Sequence, residues 1–187
     1  LHTYLGISDI GAVEVQGLDA CEYVDKVAGA VRKVYLELTG ETPDDPALTY
    51  IALKGGPAAA RLTRYVTVAM QTSADADRFL GCLGLQQSFL PFARELTRAI
   101  LMQPSNCATL LVVEEDTRRR SLDFNFADDA PTVQVRAALA QILAHLDPPD
   151  CEIERLVTSP LSHVALGSGS DGAPFVTLYG FPETGHA

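Results

Sequence analysis

Four stretches of this chain repeat one form: a short alternating run, a turn rich in Gly, Asp or Pro, and a second run. The first occupies 2–7 and 12–16 around Ser8, Asp9, Ile10 and Gly11. The second occupies 49–54 and 61–71 around Gly55, Gly56 and Pro57, and the third 108–114 and 121–127 around Glu115, Asp116 and Thr117. The fourth occupies 163–167 and 175–180, joined through 168–174. Side chains that alternate with period two mark half-buried strands, and such turn residues join them as antiparallel hairpins.

Helical patterns separate the hairpins. Asp19 is placed to cap a helix reaching to about Leu38, with Val24, Val27, Val31, Val34, Tyr35 and Leu38 at helical spacing. A second helical stretch opens at Ser73 or Asp75 and runs to about Met102, with a break expected near Gly84 because glycine disfavours a helix interior. A third starts at Pro131, a residue suited to the first helical turn, and ends before Pro148. A short element is expected over 151–157. No linker rich in Pro, Gly or Ser divides the chain, so residues 1–187 are expected to form one domain. The class is α+β: repeated ββα units forming an antiparallel sheet or a closed barrel, with helices on the outer face.

Each strand has two faces. One set holds Leu62, Arg64, Val66, Val68 and Met70; Leu122, Phe124 and Phe126; Val164 and Leu166; Val176 and Leu178. These are expected to pack under the helices. The opposite set mixes polar and aromatic groups, among them Tyr4, Glu14, Tyr50, Lys54, Arg61, Thr63, Tyr65, Asp123, Asn125, His163, Thr177 and Tyr179. If the sheet stays open this set meets water, as is common for antiparallel sheets; if it curls and closes, it lines a lumen.

Composition narrows the partners. The formal charge is −10, with 14 Lys+Arg, and the longest basic run is Arg118, Arg119, Arg120. Such a chain is a poor match for phosphate backbones or an anionic membrane surface, so neither nucleic acid nor membrane is expected as a partner. No apolar run reaches the roughly 18 residues a membrane span needs. The four cysteines, Cys21, Cys82, Cys107 and Cys151, are widely spaced with no metal-ligand pattern, so buried free thiols and a cytoplasmic setting are expected. The opening residues have no basic stretch leading into an apolar one, so no secretion signal is expected.

The segment 60–85, ARLTRYVTVAMQTSADADRFLGCLGL, resembles a segment of the indole branch of the aromatic prenyltransferases: a strand with basic and tyrosine residues on alternate positions, a Thr-Ser, then a helix ending in Leu-Gly. The last hairpin, HVALGSGSDGAPFVTLYGF, is also similar to that family's, with a tyrosine on the closing strand. The resemblance implies a closed antiparallel barrel of α-β-β-α units that transfers an allylic group from a diphosphate to an aromatic small molecule. It places Arg61 and Tyr65 at diphosphate-binding positions and Tyr179 in a tyrosine shield around the allyl cation. An allylic diphosphate needs cationic donors on its leaving group, and aromatic faces stabilise the developing carbocation. Lys54 would join Arg61 on the diphosphate, and Glu14 or His163 would take the proton from the acceptor. The second basic position of the motif is Thr63, and Asp123 stands where a further cation would fit. Two cations, Lys54 and Arg61, are few for a diphosphate unless Mg²⁺ assists, no carboxylate cluster for that ion stands out, and no other cofactor is implied.

The rival reading is a non-catalytic module on the same scaffold that binds a small ligand or a protein. Several motifs carry no chemistry: Gly55, Gly56 and Pro57 lack the Lys and Ser/Thr of a phosphate loop, and Ser168, Gly169 and Ser170 form a hairpin turn. Asp128 and Asp129 precede a helix start, where acidic residues suit the dipole.

Overall fold

The computed structural model describes residues 33–37, 47–54, 61–103, 107–126, 130–146 and 160–180. The expected hairpin at 2–16, with Glu14, the turn at 55–57 and the short element at 151–157 lie outside these residues. The chain is α+β with an antiparallel sheet that, among the described residues, does not close into a barrel. Each strand lies beside its neighbour in sequence. Two compact units divide the chain, Leu1–Thr67 with Val112–Thr117, and Val68–Leu111 with Arg118–Ala187.

In the first unit, β1 (Lys33–Glu37) pairs antiparallel with β2 (Leu48–Lys54), which pairs with β3 (Arg61–Thr67). β1 corrects the expected helix to Leu38. The five residues Lys-Val-Tyr-Leu-Glu satisfy a period of two as well as a helical one, and pairing with β2 settles the ambiguity in favour of the strand. The end of β4 (Ala108–Glu114) belongs here too, and the Glu115 amide donates to the Leu62 carbonyl at 2.9 Å.

The buried face of β3 is also not the expected one. Thr63 and Tyr65 are buried, Leu62 and Val66 only half-buried, and Arg64 exposed. Ala52, the cross-strand partner of Thr63, is fully buried on that same face. Arg64 instead points outward to Glu115, 2.6 Å away. A face of Leu, Arg and Val is not decisively more apolar than one of Arg, Thr and Tyr, because an aromatic ring buries more area than a β-branched side chain.

The second unit follows the expected pattern closely. Helix α1 (Ser73–Cys82) begins at a capping box, in which the Thr72 hydroxyl accepts from the Asp75 amide and the Asp75 carboxylate accepts from the Thr72 amide. It stops before Gly84, whose φ of 65° no residue with a Cβ adopts readily. Helix α2 (Leu90–Leu101) has Pro91 in its first turn, and α3 (Val133–Leu146) follows Thr132, whose hydroxyl accepts from the Val135 amide. Strand β5 (Arg120–Asn125) pairs antiparallel with β6 (Leu161–Ser168), and β6 with β7 (Pro174–Gly180).

Leu122, Phe124, Val164 and Leu166 are fully buried in one core with Leu80, Phe89, Leu96, Val135, Leu139 and Ile142 from the helices; Val176 and Leu178 pack against it. Alternation places those strand residues on one face, and the helices cover that face as expected. At the rim, the Ser168 hydroxyl donates to the Leu83 carbonyl at the end of α1, a bond between residues 85 positions apart. Among the described residues, no helix is long and apolar enough to cross a membrane.

Candidate functional site

In the first unit, the face of β3 that buries Thr63 and Tyr65 also carries the basic positions, and strand register arranges it in three rows. Lys33, Lys54 and Arg61 are successive cross-strand partners; so are Tyr35, Ala52 and Thr63; so are Glu37, Tyr50 and Tyr65. Direct partners in an antiparallel pair share a face, with Cβ atoms about 4.5–5.5 Å apart. Three basic positions therefore occupy neighbouring strands at one end, while Tyr50 and Tyr65 lie two rows away.

Arg61 and Tyr65 are four residues apart on one strand, or about 13 Å at 3.3–3.4 Å per residue. Tyr65 is buried and stands edge-on to Tyr50, ring centroids 6.4 Å apart and planes at 88°. The guanidinium of Arg61 is half-exposed and reaches Glu114, whose carboxylate is almost fully buried, at 3.1 Å. Arg61 thus divides its charge between solvent and a carboxylate of its own chain.

In the second unit, the polar face comprises the rows Asn125–His163–Tyr179, Asp123–Ala165–Thr177 and Ser121–Gly167–Phe175. Ser121 and Ala165 are buried and His163 is half-buried. A β-bulge between Leu161 and His163 brings Ser162 beside the imidazole. Its hydroxyl lies 2.9 Å from His163 Nδ1 and donates to the Tyr179 carbonyl at 3.2 Å. The Tyr179 ring meets the imidazole edge-on, 5.9 Å away at 75°. Burial pushes the His163 imidazole below its ordinary value, because a charged ring is poorly solvated there.

Gly167 occupies the tightest point of this face. A Cβ there would lie 2.1 Å from the Arg120 carbonyl oxygen and 2.6 Å from the Ser121 Cβ. Its partner on β7 is Phe175, over whose ring the Arg119 guanidinium sits at 4.4 Å. Arg119 is half-buried against this aromatic face.

The candidate residues fall into two groups. Lys54, Arg61 and Tyr65 belong to the first unit, His163 and Tyr179 to the second, and Glu14 lies outside the described residues. Lys54 and Arg61 are cross-strand partners, and so are His163 and Tyr179. Sequence reasoning missed Lys33, because it was counted within a helix, and Glu114, because only distant pairing brings it to Arg61. Lys-Val-Tyr-Leu-Glu fits alternation and helical spacing alike, so no local signal singles out the strand. Among the described residues, no group of three or more His, Cys, Asp or Glu side chains is arranged to hold a metal ion.

No protein-family model matches this chain, and no curated protein or solved structure matches it.

Proposed function

We propose that the first unit binds a small molecule bearing an anionic group, with that group at the row Lys33–Lys54–Arg61. The observation that carries this is the register itself. It sets three basic positions side by side on neighbouring strands of a chain whose formal charge is −10. Basic positions on adjacent strands suit an anion that bridges them. The Arg61–Glu114 pair lowers the positive charge at the site and favours binding without turnover, since less of it is left for a leaving group.

A second reading, transfer of an allylic group from a diphosphate to an aromatic small molecule, draws on the Tyr50–Tyr65 pair. Aromatic rings two rows from the cations stand where an allylic chain would lead from its diphosphate. This version requires the ββα repeat to run through the whole chain and the sheet to close. It also requires a base, for which Glu14 is the candidate.

Calorimetric titration with inorganic diphosphate and with an allylic diphosphate, each with and without Mg²⁺, tests both readings. Binding of either ligand that weakens at least tenfold in the double variant Lys33→Ala/Lys54→Ala supports the anion site. Absence of heat and of thermal stabilisation at millimolar ligand overturns it. Formation of an alkylated indole in the presence of the allylic diphosphate selects the enzymatic reading, and binding without product selects the other.

A further inference from the structure

The bulge at Ser162 has a chemical consequence that is independent of the basic row and lies wholly in the second unit. A serine hydroxyl has one hydrogen, and the Ser162 hydroxyl donates it to the Tyr179 carbonyl oxygen at 3.2 Å. What it offers His163 Nδ1 at 2.9 Å is a lone pair. With that hydrogen on the Tyr179 carbonyl, Nδ1 is the protonated nitrogen. In a neutral imidazole the other nitrogen then keeps its lone pair, so Nε2 is a hydrogen-bond acceptor. The half-burial of the ring favours that neutral form.

The surroundings suit a ring-shaped ligand. Tyr179 stands edge-on to the imidazole and is 42% exposed, one of few large hydrophobic side chains so open among the described residues. Asn125, the β5 partner of His163, adds an amide in the same row. Bulges commonly re-aim one side chain at the edge of a sheet, and this one sets a histidine beside an accessible aromatic ring.

We propose that His163 and Tyr179 form a binding site for a small aromatic molecule carrying a hydrogen-bond donor, a phenol O–H or an indole N–H. The donor hydrogen-bonds to Nε2 of His163, and the ring packs against Tyr179. No bond is made or broken.

Long-range ¹H–¹⁵N NMR on histidine-labelled protein at pH 7.5 tests the inference, with His163→Gln identifying the signals among the four histidines. The expected result is a protonated Nδ1 and an unprotonated Nε2, with the bias lost in Ser162→Ala. p-Cresol is then expected to shift the Nε2 signal in a saturable way at millimolar concentration, and toluene, which has the ring but no donor, is not. Affinity for p-cresol, followed on the Tyr179 ring signals, should fall at least tenfold in His163→Gln. A protonated Nε2 in the free protein, equal responses to p-cresol and toluene, or unchanged affinity in His163→Gln each overturns it.

Discussion

Arg61 Nη1 lies 3.1 Å from Glu114 Oε1, which joins an exposed cation on β3 to a buried carboxylate on β4. Leaving that carboxylate without its guanidinium removes a charge-assisted bond from a group with little access to water. Arg61→Ala is expected to lower stability by about 1–3 kcal/mol in urea unfolding. In the neighbouring pair Arg64–Glu115 the carboxylate is more open to solvent than that of Glu114, so Arg64→Ala is expected to cost under about 1 kcal/mol. Adding Glu114→Gln to Arg61→Ala should recover part of the loss; a double variant no more stable than Arg61→Ala would argue against a charge penalty.

Gly167 gives a test of the close approach between β5 and β6. A methyl group at this position collides with the Arg120 carbonyl and with Ser121, and backbone atoms cannot move aside cheaply. Gly167→Ala is expected to destabilise by about 1–3 kcal/mol or more, the range for overpacking a tight site. Gly81, whose Cβ would meet nothing within 4 Å, is the control; Gly81→Ala, within a helix, should be neutral or stabilising. Thermal melts of the two variants moving together would remove the steric explanation.

Acid should weaken the fold through His163. Its folded value is lowered by burial, so below the ordinary imidazole value of about 6.5 the unfolded chain binds a proton that the folded chain resists. Stability is therefore present above that value and is lost as pH falls through the folded one. His163→Gln should flatten the fall in stability below about pH 6.5. Chemical denaturation at half-unit pH steps would show an unchanged slope if the histidine is not responsible.

The cysteines should react unequally. Cys107 is pushed up to about 12, first by burial and then by the carboxylate of Asp123, so its reactive thiolate is scarce at neutral pH. Cys82 is exposed on α1. Brief alkylation of the native protein followed by peptide mapping should label Cys82 well ahead of Cys107, with the difference abolished in denaturant. Equal native labelling would contradict the burial of Cys107.

Much of the second unit is legible in the sequence because two independent signals agree there. Leu122, Phe124 and Phe126 alternate with polar residues, and Gly84 and Pro131 mark a helix stop and a helix start. The first unit is harder to read. Lys33–Glu37 is too short for periodicity to separate strand from helix, and the faces of β3 differ too little in polarity to show that Tyr65 would be the buried one. Non-local relationships were out of reach altogether. Glu114 reaches Arg61 across 53 residues, and nothing near either one in the sequence announces the other. The cross-strand pairing of His163 with Tyr179 was open to inference from hairpin register, but the bulge that brings in Ser162 was not.

The bond from the Ser168 hydroxyl to the Leu83 carbonyl sets an order on how the molecule is made. A ribosome delivers α1 and its final carbonyl well before the hydroxyl that satisfies it, 85 residues later. Over the same interval, the faces of Leu80, Phe89, Leu96 and Leu139 await Val164 and Leu166. The helices consequently emerge with part of their apolar surface uncovered, and closure of the core depends on the arrival of β6. A nascent chain stalled before residue 161 should be a strong client for chaperones that hold hydrophobic segments, and one released beyond Ser168 a weak one.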